Sequence, residues 1–550
     1  METRFKLLSS LEKVFFELPA QWPELTSGTM LKNEIFSFQL AGWAEGYKSA
    51  KVPCKLVVES PLADYITVKK VDYVPVTTPV IHCKCDDDFI TKMPGLFPDP
   101  LHKIEADTIT LFDGQARAFW ITVEGKDLTP GTYPIRIKVT IPEGEEMREA
   151  CDKTFTLEIL DAELPQLDIY NTGWFHGDCI AKLHDVEVQS EEYLALVRKY
   201  MDVYAKFGHN TILTPIFTPP LDTAVGGERP TNQLIDVFVE NGQYRFCFDK
   251  LKQWLDMAHE AGINYFEIAH FFTQWGAGHA PKIMATVDGV YKRIFGWETD
   301  AVSDEYKGFL DAMLPQLVAF LKSEGVFENC WFHISDEPKP EHAEQYEASQ
   351  KLVLPYIPKE KLLDALSSYE FYERGIVATP VVSCNHMRNF TDHGVYKQWT
   401  YYCVGQQSNS PNRFMAMPAY RNRILGSQLY KNESAGFLQW GFNFWFKQYS
   451  VGVVDPYADT CAGGGFPGGD SFMVYPVDED GDVVTSTRLY VFNEGFQDLR
   501  AMKLLESLTD RQTVENLLAD LDGFDTFPKS SAYILDLRDK VNSLIREKLG

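Results

Sequence analysis

The sequence predicts an α/β protein with a (β/α)8 TIM-like barrel, preceded by an N-terminal antiparallel β-sandwich and followed by C-terminal helices packed on the barrel. Three observations predict this fold. Short alternating segments fill residues 1–164, apolar runs alternate with helical stretches through residues 165–508, and two amphipathic stretches lie in residues 509–550. A chain of 550 residues is long enough to be divided into such domains.

The N-terminal part has the period of two that is typical of strands. Turn residues such as Pro130 and Gly131 separate its strand-like segments, and helical periodicity is nearly absent. The segments are residues 34–43, 54–59, 66–76, 108–123, 132–141 and 154–160. Several short strands in succession favour a β-sandwich.

The central part contains eight short apolar runs, which we predict to be parallel strands. The runs are residues 169–175, 211–217, 263–269, 330–334, 362–366, 377–384, 400–404 and 437–442. Helical stretches lie between or after them, at residues 191–207, 249–261, 304–323, 341–354 and 487–508. Eight such units predict a barrel, in which catalytic side chains lie at the C-terminal ends of the strands.

The composition restricts the class of partner. The chain has 78 acidic and 52 basic residues, and its net charge of -26 repels nucleic acids and anionic membranes. Its ten cysteines are scattered, mostly within apolar runs, as reduced cysteines are. No apolar stretch has the length of a signal peptide or of a membrane span. We therefore expect a soluble cytoplasmic protein, and its oligomeric state is open.

The fourth apolar run ends in two neighbouring acids, Asp336 and Glu337, which Pro338 follows. Ionised side chains at the end of an apolar strand are costly unless they are paired or used. The pair is therefore the candidate catalytic site, and the alternative is that it stabilises the dipole of a following helix. Pro338 also predicts an extended backbone at Glu337.

The ends of other runs carry aromatic and hydrogen-bonding side chains. This combination suits a sugar ring, whose C–H face stacks on aromatic rings and whose hydroxyls need directional partners. The predicted substrate-binding residues are Trp174, His176, His270, Trp275, Tyr401, Tyr402, Trp440, Asn443 and Trp445. For each tryptophan, packing in the core is the alternative. His176, His270 and His279 lack the spacing of metal ligands, so we expect structural or sugar-contacting histidines, and we predict no metal and no cofactor.

Three long motifs give the chain a family resemblance. Residues 333–338 (HISDEP), 437–445 (FLQWGFNFW) and 467–476 (PGGDSFMVYP) resemble glycoside hydrolase family 123. Shorter similarities lie at residues 174–176, 275–276 and 281–283, and the last of these adds Lys282 to the predicted substrate-binding residues. Further matches to the family pattern are Ser486, Arg488, Glu494, Gly495 and Asp498, whereas Tyr490 and Leu499 depart from it.

The resemblance implies a fold and a reaction. The fold is a β-sandwich before a (β/α)8 barrel, and the activity is that of a retaining β-N-acetylgalactosaminidase that works by substrate assistance. By the same resemblance, Asp336 would orient and stabilise the 2-acetamido group of the substrate, and Glu337 would be the general acid/base.

The adjacency of the two acids fits this mechanism. In an ordinary retaining glycosidase the acid and the nucleophile face each other across the scissile bond, about 5 Å apart. If the acetamido oxygen of the substrate attacks instead, one carboxylate stabilises the developing positive charge and one carboxylic acid protonates the leaving oxygen. In the resting complex with substrate, we expect Asp336 to be ionised and Glu337 protonated, with Tyr401 or Tyr402 donating to the acetamido oxygen.

Two other functions are open. A glycosidase for a sugar without the acetamido group would need an enzyme nucleophile such as Asp364, and a non-catalytic protein would keep the fold and bind glycans. In every case the partner is an oligosaccharide or glycoconjugate, and Trp440 and Trp445 are candidates for the walls around the sugar. The sequence does not distinguish N-acetylgalactosamine from N-acetylglucosamine, exo from endo action, or one linkage from another.

Overall fold

The computed structural model describes residues 2–17, 22–47, 49–81, 83–143 and 146–549. In these ranges, the chain before residue 165 forms two sheets. Their strands are β1 (Glu2–Ser9), β2 (Ser27–Leu31), β3 (Ile35–Glu45), β4 (Lys51–Glu59), β5 (Ile66–Val76), β6 (Gly95–Lys103), β7 (Thr108–Phe112), β8 (Gln115–Glu124), β9 (Gly131–Glu143) and β10 (Glu146–Leu160). One sheet runs β1-β3-β8-β5-β6 and the other β2-β10-β9-β4-β7. Neighbours are antiparallel except for β2 beside β10.

A shared apolar core lies between these two sheets. Buried and exposed residues alternate along β4, as the predicted period of two requires. Phe38 of β3 and Phe155 of β10 stack at 4.1 Å between the sheets. The predicted segment 108–123 is two strands, because Gly114 takes a φ of 74° and turns the chain between β7 and β8.

Beyond residue 165 the eight predicted apolar runs all contain strands. The strands of this part are β11 (Tyr170–Gly173), β12 (Thr211–Thr214), β13 (Asp236–Glu240), β14 (Gln243–Cys247), β15 (Tyr265–Ile268), β16 (Ile283–Val287), β17 (Val290–Phe295), β18 (Cys330–Phe332), β19 (Leu363–Ala365), β20 (Thr379–Ser383), β21 (Trp399–Tyr401), β22 (Gly436–Gln439), β23 (Val474–Val477) and β24 (Val483–Ser486). Eight of them form a parallel sheet in the order β18-β15-β12-β11-β22-β21-β20-β19. A parallel bridge between Phe332 and Leu362 brings its two edges together, so the sheet is a nearly closed barrel.

Helices lie between the barrel strands and after the hairpin β23-β24. They are α1 (Gly177–Leu183), α2 (Glu191–Lys206), α3 (Asp249–Ala261), α4 (Asp304–Ser323), α5 (Ala343–Val353), α6 (Tyr369–Glu373), α7 (Arg388–Thr391), α8 (Tyr420–Arg423), α9 (Leu425–Lys431), α10 (Thr487–Leu508), α11 (Arg511–Leu517) and α12 (Ser531–Leu549). The hydroxyls of Ser190, Ser303 and Ser486 accept a backbone N–H and cap α2, α4 and α10. The hairpins β13-β14 and β16-β17 form a separate sheet that the sequence analysis did not predict.

The last part of the chain joins the barrel to the N-terminal sheets. The hairpin β23-β24 extends the first N-terminal sheet, because Thr485 pairs with Leu101 of β6. Arg488 binds Asp99 of β6 at 2.8 Å in a buried ion pair. Asp498 of α10 accepts from Arg423 at 2.8 Å and from Arg538 of α12 at 2.9 Å, and Arg538 also binds Glu34.

Arg488 and Asp498, which match the family pattern, therefore form buried ion pairs that hold the fold together. Gly495 of α10 serves close packing, since a Cβ on it would meet the carbonyl oxygen of Arg423 in α8 at 2.7 Å. The division into domains at residues 164 and 508 stays a prediction. Among the described helices, the structure has none that combines the length and the apolar character needed to cross a bilayer.

Candidate active site

A cavity of about 210 Å³ lies at the C-terminal ends of the barrel strands. Its wall consists of Trp174, Leu221, Asp222, Gln274, Trp275, Asp336, Glu337, Ala365, Tyr401, Cys403, Val404, Leu438, Trp440, Gln448, Tyr449 and Phe466. These residues include three carboxylates, and among the described residues no lysine, arginine or histidine is part of the wall. The cavity is smaller than the roughly 300–1,000 Å³ of clefts for drug-sized ligands, and it suits a single uncharged sugar ring.

Hydrogen bonds from two neighbouring strand ends hold the acid pair in this cavity. The Trp275 N–H, which follows β15, donates to the Asp336 carbonyl at 2.8 Å. The Glu337 N–H donates to the carbonyl of Ala365, the last residue of β19, at 3.1 Å. The two acids are therefore fixed by main-chain groups on both sides of β18.

The backbone of Glu337 has a φ of 45°, in the left-handed region. The prediction that Pro338 makes this residue extended is therefore wrong. A residue before proline avoids the right-handed helical region, and here the bond to Ala365 holds it in the left-handed one instead. Such a conformation costs about 1–3 kcal/mol in a non-glycine residue and is concentrated at functional sites.

The two acids have different surroundings. Burial, followed by the negative charge of Glu337, raises the pKa of Asp336 well above its ordinary value, although the charge of His333 opposes this. Burial therefore opposes the ionised form that we expect Asp336 to take in the complex with substrate, and that expectation stays a prediction. The Tyr401 hydroxyl donates to Oε1 of Glu337 at 2.7 Å and orients this carboxyl group.

Three residues before Asp336, the buried side chain of His333 lies between two carboxylates. Its Nε2 is 3.0 Å from Glu267 and its Nδ1 is 3.3 Å from Asp364. Burial favours a neutral imidazole, but the hydrogen bonds and charges of Asp364 and Glu267 outweigh it and raise the pKa of His333 to about 9. His333 is therefore an imidazolium at neutral pH.

The same two carboxylates, Glu267 and Asp364, accept further hydrogen bonds near the cavity. The Trp174 indole N–H donates to Glu267 at 2.8 Å, and the Ile334 N–H donates to Asp364 at 3.0 Å. The Tyr346 hydroxyl also donates to Asp364. A buried charged cluster thus supports both a tryptophan of the wall and the segment that carries the acid pair.

Comparison with known proteins identifies the family. The family model described as glycoside hydrolase 123, catalytic domain, matches residues 174–505. The chain belongs to glycoside hydrolase family 123. A solved structure of a family 123 glycoside hydrolase from Clostridium perfringens covers 100% of this chain and 97% of its own, with 16% identity and a TM-score of 0.74. The predicted family resemblance is confirmed.

Other comparisons are weaker. The structure of a putative beta-galactosidase from Bacteroides fragilis has 9% identity and a TM-score of 0.31, and the match covers 88% of this chain and 60% of that one. A search of curated proteins found no match. The shared fold with the Clostridium perfringens enzyme therefore places this family 123 chain on a known architecture.

Four of the ten predicted substrate-binding residues line the cavity of this glycoside hydrolase together with the acid pair. They are Trp174, Trp275, Tyr401 and Trp440. Trp275 is 38% exposed at the mouth, whereas Trp174 is 2% exposed and lies deep in the cavity. The indole N–H of Trp440 donates to Asp470 at 3.3 Å, so the motif at residues 467–476 fixes this tryptophan.

Three other predicted residues form a buried layer outside the wall. His176 contacts the Trp440 carbonyl through Nε2 at 2.9 Å and Arg229 through Nδ1 at 3.0 Å. The Asn443 side chain binds the backbone N–H and carbonyl of His176 at 2.8 and 3.1 Å. The Trp445 indole N–H donates to the Val474 carbonyl at 3.3 Å. Their contacts support the backbone that carries Trp440, and their roles in substrate binding stay predictions.

Three more predicted residues also lie away from the wall. The Tyr402 ring is fully buried and packs on Phe437, with ring centroids 4.9 Å apart. Lys282 binds Glu228 at 3.0 Å. His270 is buried, and burial holds its pKa well below the ordinary value.

His270, His333 and Asp364 form a cluster of residue types that can bind a metal ion. Ligand atoms of His270, His333 and Asp364 lie within 4.8 Å of one another. The rings of His270 and His333 stack at 4.4 Å with 18° between their planes, so their in-plane lone pairs do not converge on one point. His333 also has a carboxylate on each ring nitrogen. The arrangement suits a buried charge cluster better than a metal ion.

The sequence analysis missed the third carboxylate of the cavity. Asp222 lies on the loop after β12, its N–H donates to Gln274 at 2.7 Å, and its carboxylate accepts the Tyr449 N–H at 2.9 Å. Burial raises the pKa of Asp222 to about 6. Asp222 could have been predicted, because it is an acid shortly after the second apolar run. Tyr449 could not, because no motif marks it within the long loop after β22.

We expect the stability of this glycosidase to fall as pH rises from 6.5 to 9 because His333 loses its proton. Its pKa of about 9 exceeds the ordinary 6.5, so its contribution is complete below pH 6.5 and is lost as pH passes 9. The shift corresponds to at most about 3 kcal/mol of unfolding free energy. Urea unfolding at several pH values measures this contribution.

The variant His333→Gln should be less stable by about 3–5 kcal/mol at neutral pH, because it leaves buried carboxylates without their partner. Its stability should also depend less on pH in this window. The exposed His393 offers the matched control, His393→Gln. An unchanged pH dependence in His333→Gln would contradict the assignment of the proton to this residue.

Proposed function

We propose that the protein is a retaining β-N-acetylhexosaminidase that prefers β-linked N-acetylgalactosamine and works by substrate-assisted catalysis. The observation that carries this proposal is the position of Asp336 and Glu337 as adjacent residues on the wall of one sugar-sized cavity. Neighbouring residues cannot readily face each other across a glycosidic bond. They can serve one substrate that supplies its own nucleophile.

The burial of Asp336 supports this assignment. The proton that burial favours on Asp336 is displaced when the acetamido N–H of the substrate donates to that carboxylate, since a donor stabilises the ionised form. Binding of the substrate therefore favours the ionised form of Asp336. Glu337 is then the carboxyl group that protonates the leaving oxygen.

The reaction has two steps. In the first, the acetamido carbonyl oxygen bonds to the anomeric carbon, the bond to the leaving oxygen breaks, and Glu337 transfers its proton to that oxygen. Asp336 stabilises the oxazolinium charge. In the second, Glu337 takes a proton from water, which attacks the anomeric carbon and reopens the ring with net retention. The tryptophans Trp174 and Trp440 bound the space for the sugar and its acetamido methyl group.

One observation favours a second candidate function. Asp364, the nucleophile considered from sequence, lies beneath the cavity against His333, but Asp222 is on the wall. A carboxylate there would supply a nucleophile or base for a glycosidase whose substrate lacks the acetamido group. The two candidate functions differ in whether the rate of hydrolysis depends on the acetamido group of the substrate.

A panel of aryl β-glycosides tests the proposal. We expect turnover of the N-acetylgalactosaminide, slower turnover of the N-acetylglucosaminide, and no measurable turnover of the galactoside and glucoside. A thiazoline that mimics the oxazoline intermediate should inhibit competitively. Preferential turnover of the galactoside, with no inhibition by the thiazoline, would support the second candidate and exclude substrate assistance.

A further inference from the structure

A second cavity, of about 720 Å³, lies against the N-terminal sheets. The chain from β5 to β8 supplies most of its wall. Phe16, between β1 and β2, and Tyr457, in the segment after β22, supply the rest. We call it the sheet groove, and the wall residues that matter here are Phe16, Tyr73, His102, Phe112, Arg117 and Tyr457. The proposed hydrolysis uses none of them.

The guanidinium of Arg117 is held among aromatic rings in the sheet groove. Its central carbon is 4.1 Å from the ring centre of Phe16, 4.5 Å from that of Phe112 and 5.0 Å from that of Tyr73. Contacts with ring faces leave the edge of a planar guanidinium for hydrogen bonds. This presentation suits a bidentate acceptor such as a carboxylate.

Arg117 lacks such an acceptor among the described residues. One terminal nitrogen donates to the Gln115 side chain at 2.7 Å, and Nε is buried without a partner. No described carboxylate forms an ion pair with Arg117. By contrast, the buried Arg229, Arg423 and Arg488 each bind a carboxylate at 2.8 Å. Arg117 is thus an unmatched cation in a chain with a net charge of -26.

The other basic side chains in the wall of the sheet groove already have carboxylate partners. Asp72 binds Lys70 at 3.0 Å and His102 at 2.8 Å. Lys103 binds Asp480 at 3.2 Å. These pairs leave Arg117 as the point at which the groove attracts an anion. The groove also has two acids in its wall, Asp72 and Glu105, but these lie beside basic side chains. The described wall of the catalytic cavity has three acids and no basic side chain, so it is the less favourable place for an anion.

The remaining wall suits a sugar. The rings of His102 and Tyr457 stack at 5.7 Å with 28° between their planes, and His102 Nε2 is 3.3 Å from the Tyr457 hydroxyl. Aromatic faces beside directional polar groups are features of sugar sites. We propose that the sheet groove binds a carboxylate-bearing sugar, with the carboxylate on Arg117 and the ring against Tyr73 and Tyr457.

One chain segment connects this groove to the catalytic cavity. Tyr457 lies between Tyr449 and Phe466, which both line that cavity. The proposal rests on the proposed function only in taking the ligand to be part of a glycan. The positive charge and aromatic wall stand without it.

Titration calorimetry at low salt tests the proposal with galacturonic acid and N-acetylneuraminic acid as the carboxylated probes. Galactose is the neutral probe and inorganic sulfate the simple anion. We expect the sugar acids to bind, galactose to bind at least about tenfold more weakly, and sulfate to bind more weakly than either acid. Equal binding of galactose, tighter binding of sulfate, or no binding of either acid would overturn the proposal.

Two variants assign the site. Arg117→Met keeps much of the apolar stem and removes the charge, and Arg117→Lys keeps the charge and removes the planar fork. We expect sugar-acid affinity to fall by about tenfold or more in each. Unchanged affinity in Arg117→Lys would overturn the assignment even if Arg117→Met fails to fold. Both variants should turn over a small aryl glycoside at the native rate. If the native protein binds the sugar acids but turns over no aryl glycoside, the proposed hydrolysis is refuted and the sheet-groove proposal is not.

Discussion

We expect Glu337→Gln to lower kcat on an aryl β-N-acetylgalactosaminide with a poor leaving group by about 10²–10⁴-fold. The substitution keeps the shape of the side chain and an oxygen that can accept from the Tyr401 hydroxyl, now 2.7 Å from Glu337. What it removes is the proton that the leaving oxygen must receive. The loss should therefore appear in bond cleavage rather than in sugar binding.

The dependence on the leaving group makes this test specific. A strongly activated phenol leaves without protonation, so the variant should retain far more activity on a dinitrophenyl glycoside than on an unsubstituted phenyl glycoside. Its pH profile should also lose the basic limb that reports an essential acid. Both changes are absent for a residue that only supports the fold.

The exposed Glu341 lies near the acid pair in sequence and offers the matched control, Glu341→Gln. This control should have native activity on every substrate. An equal loss on all leaving groups in Glu337→Gln would contradict its role as the proton donor. Full activity would remove Glu337 from the catalytic site altogether.

The architecture could be predicted from the sequence because the spacing of the apolar residues changes where the chain leaves the N-terminal sheets. All eight apolar runs of the second part contain barrel strands, and α3, α4 and α10 have the predicted bounds. The hairpins β13-β14 and β16-β17 were missed because they lie in connections between barrel units, where exposed and buried residues mix. Local pattern therefore predicts the repeated units better than their insertions.

Only part of the site could be predicted from the sequence, as Tyr401 and Tyr402 show. Successive side chains of a strand point to opposite sides, so one residue of register decides which tyrosine faces the cavity. Tyr401 binds Glu337 there, whereas Tyr402 packs on Phe437. The composition of a strand end predicts a sugar site, but it does not fix the register.

The buried contacts of His333 were harder to predict from the sequence than the cavity wall. His333 belonged to the family motif, yet its two carboxylates, Glu267 and Asp364, come from other strands and are brought together only by the barrel. The left-handed backbone of Glu337 likewise depends on a hydrogen bond to Ala365 across the sheet. Contacts between distant segments decide such features, and no local pattern records them.

We expect Asp336→Asn to lower kcat/KM on the aryl N-acetylgalactosaminide by about 10²–10³-fold, the size of effect seen when one group that stabilises a developing charge is removed. The amide cannot offer a negative charge to the oxazolinium ion. The native enzyme should also slow as fluorine replaces hydrogen in the N-acetyl group, because fluorine weakens the attacking oxygen.

Stability provides a second readout for Asp336→Asn, because we expect the variant to be more stable although it is less active. Because the pKa of Asp336 is raised in the folded protein, ionising it above its ordinary pKa of 3.8 opposes folding. Asp336→Asn should therefore raise the free energy of unfolding at neutral pH while activity falls. The exposed Asp392 gives a matched control, Asp392→Asn, which should change neither quantity.

Azide separates the two catalytic schemes through the same residue. If Asp336 only assists the acetamido group, Asp336→Ala should not be rescued by azide, since the substrate still supplies the nucleophile. If Asp222 is the nucleophile of an ordinary retaining enzyme, azide should rescue Asp222→Ala and yield a glycosyl azide of inverted configuration. Rescue of Asp222→Ala together with indifference to N-acetyl fluorination would contradict substrate assistance, because the rate would then depend on a carboxylate of the enzyme and not on the acetamido oxygen.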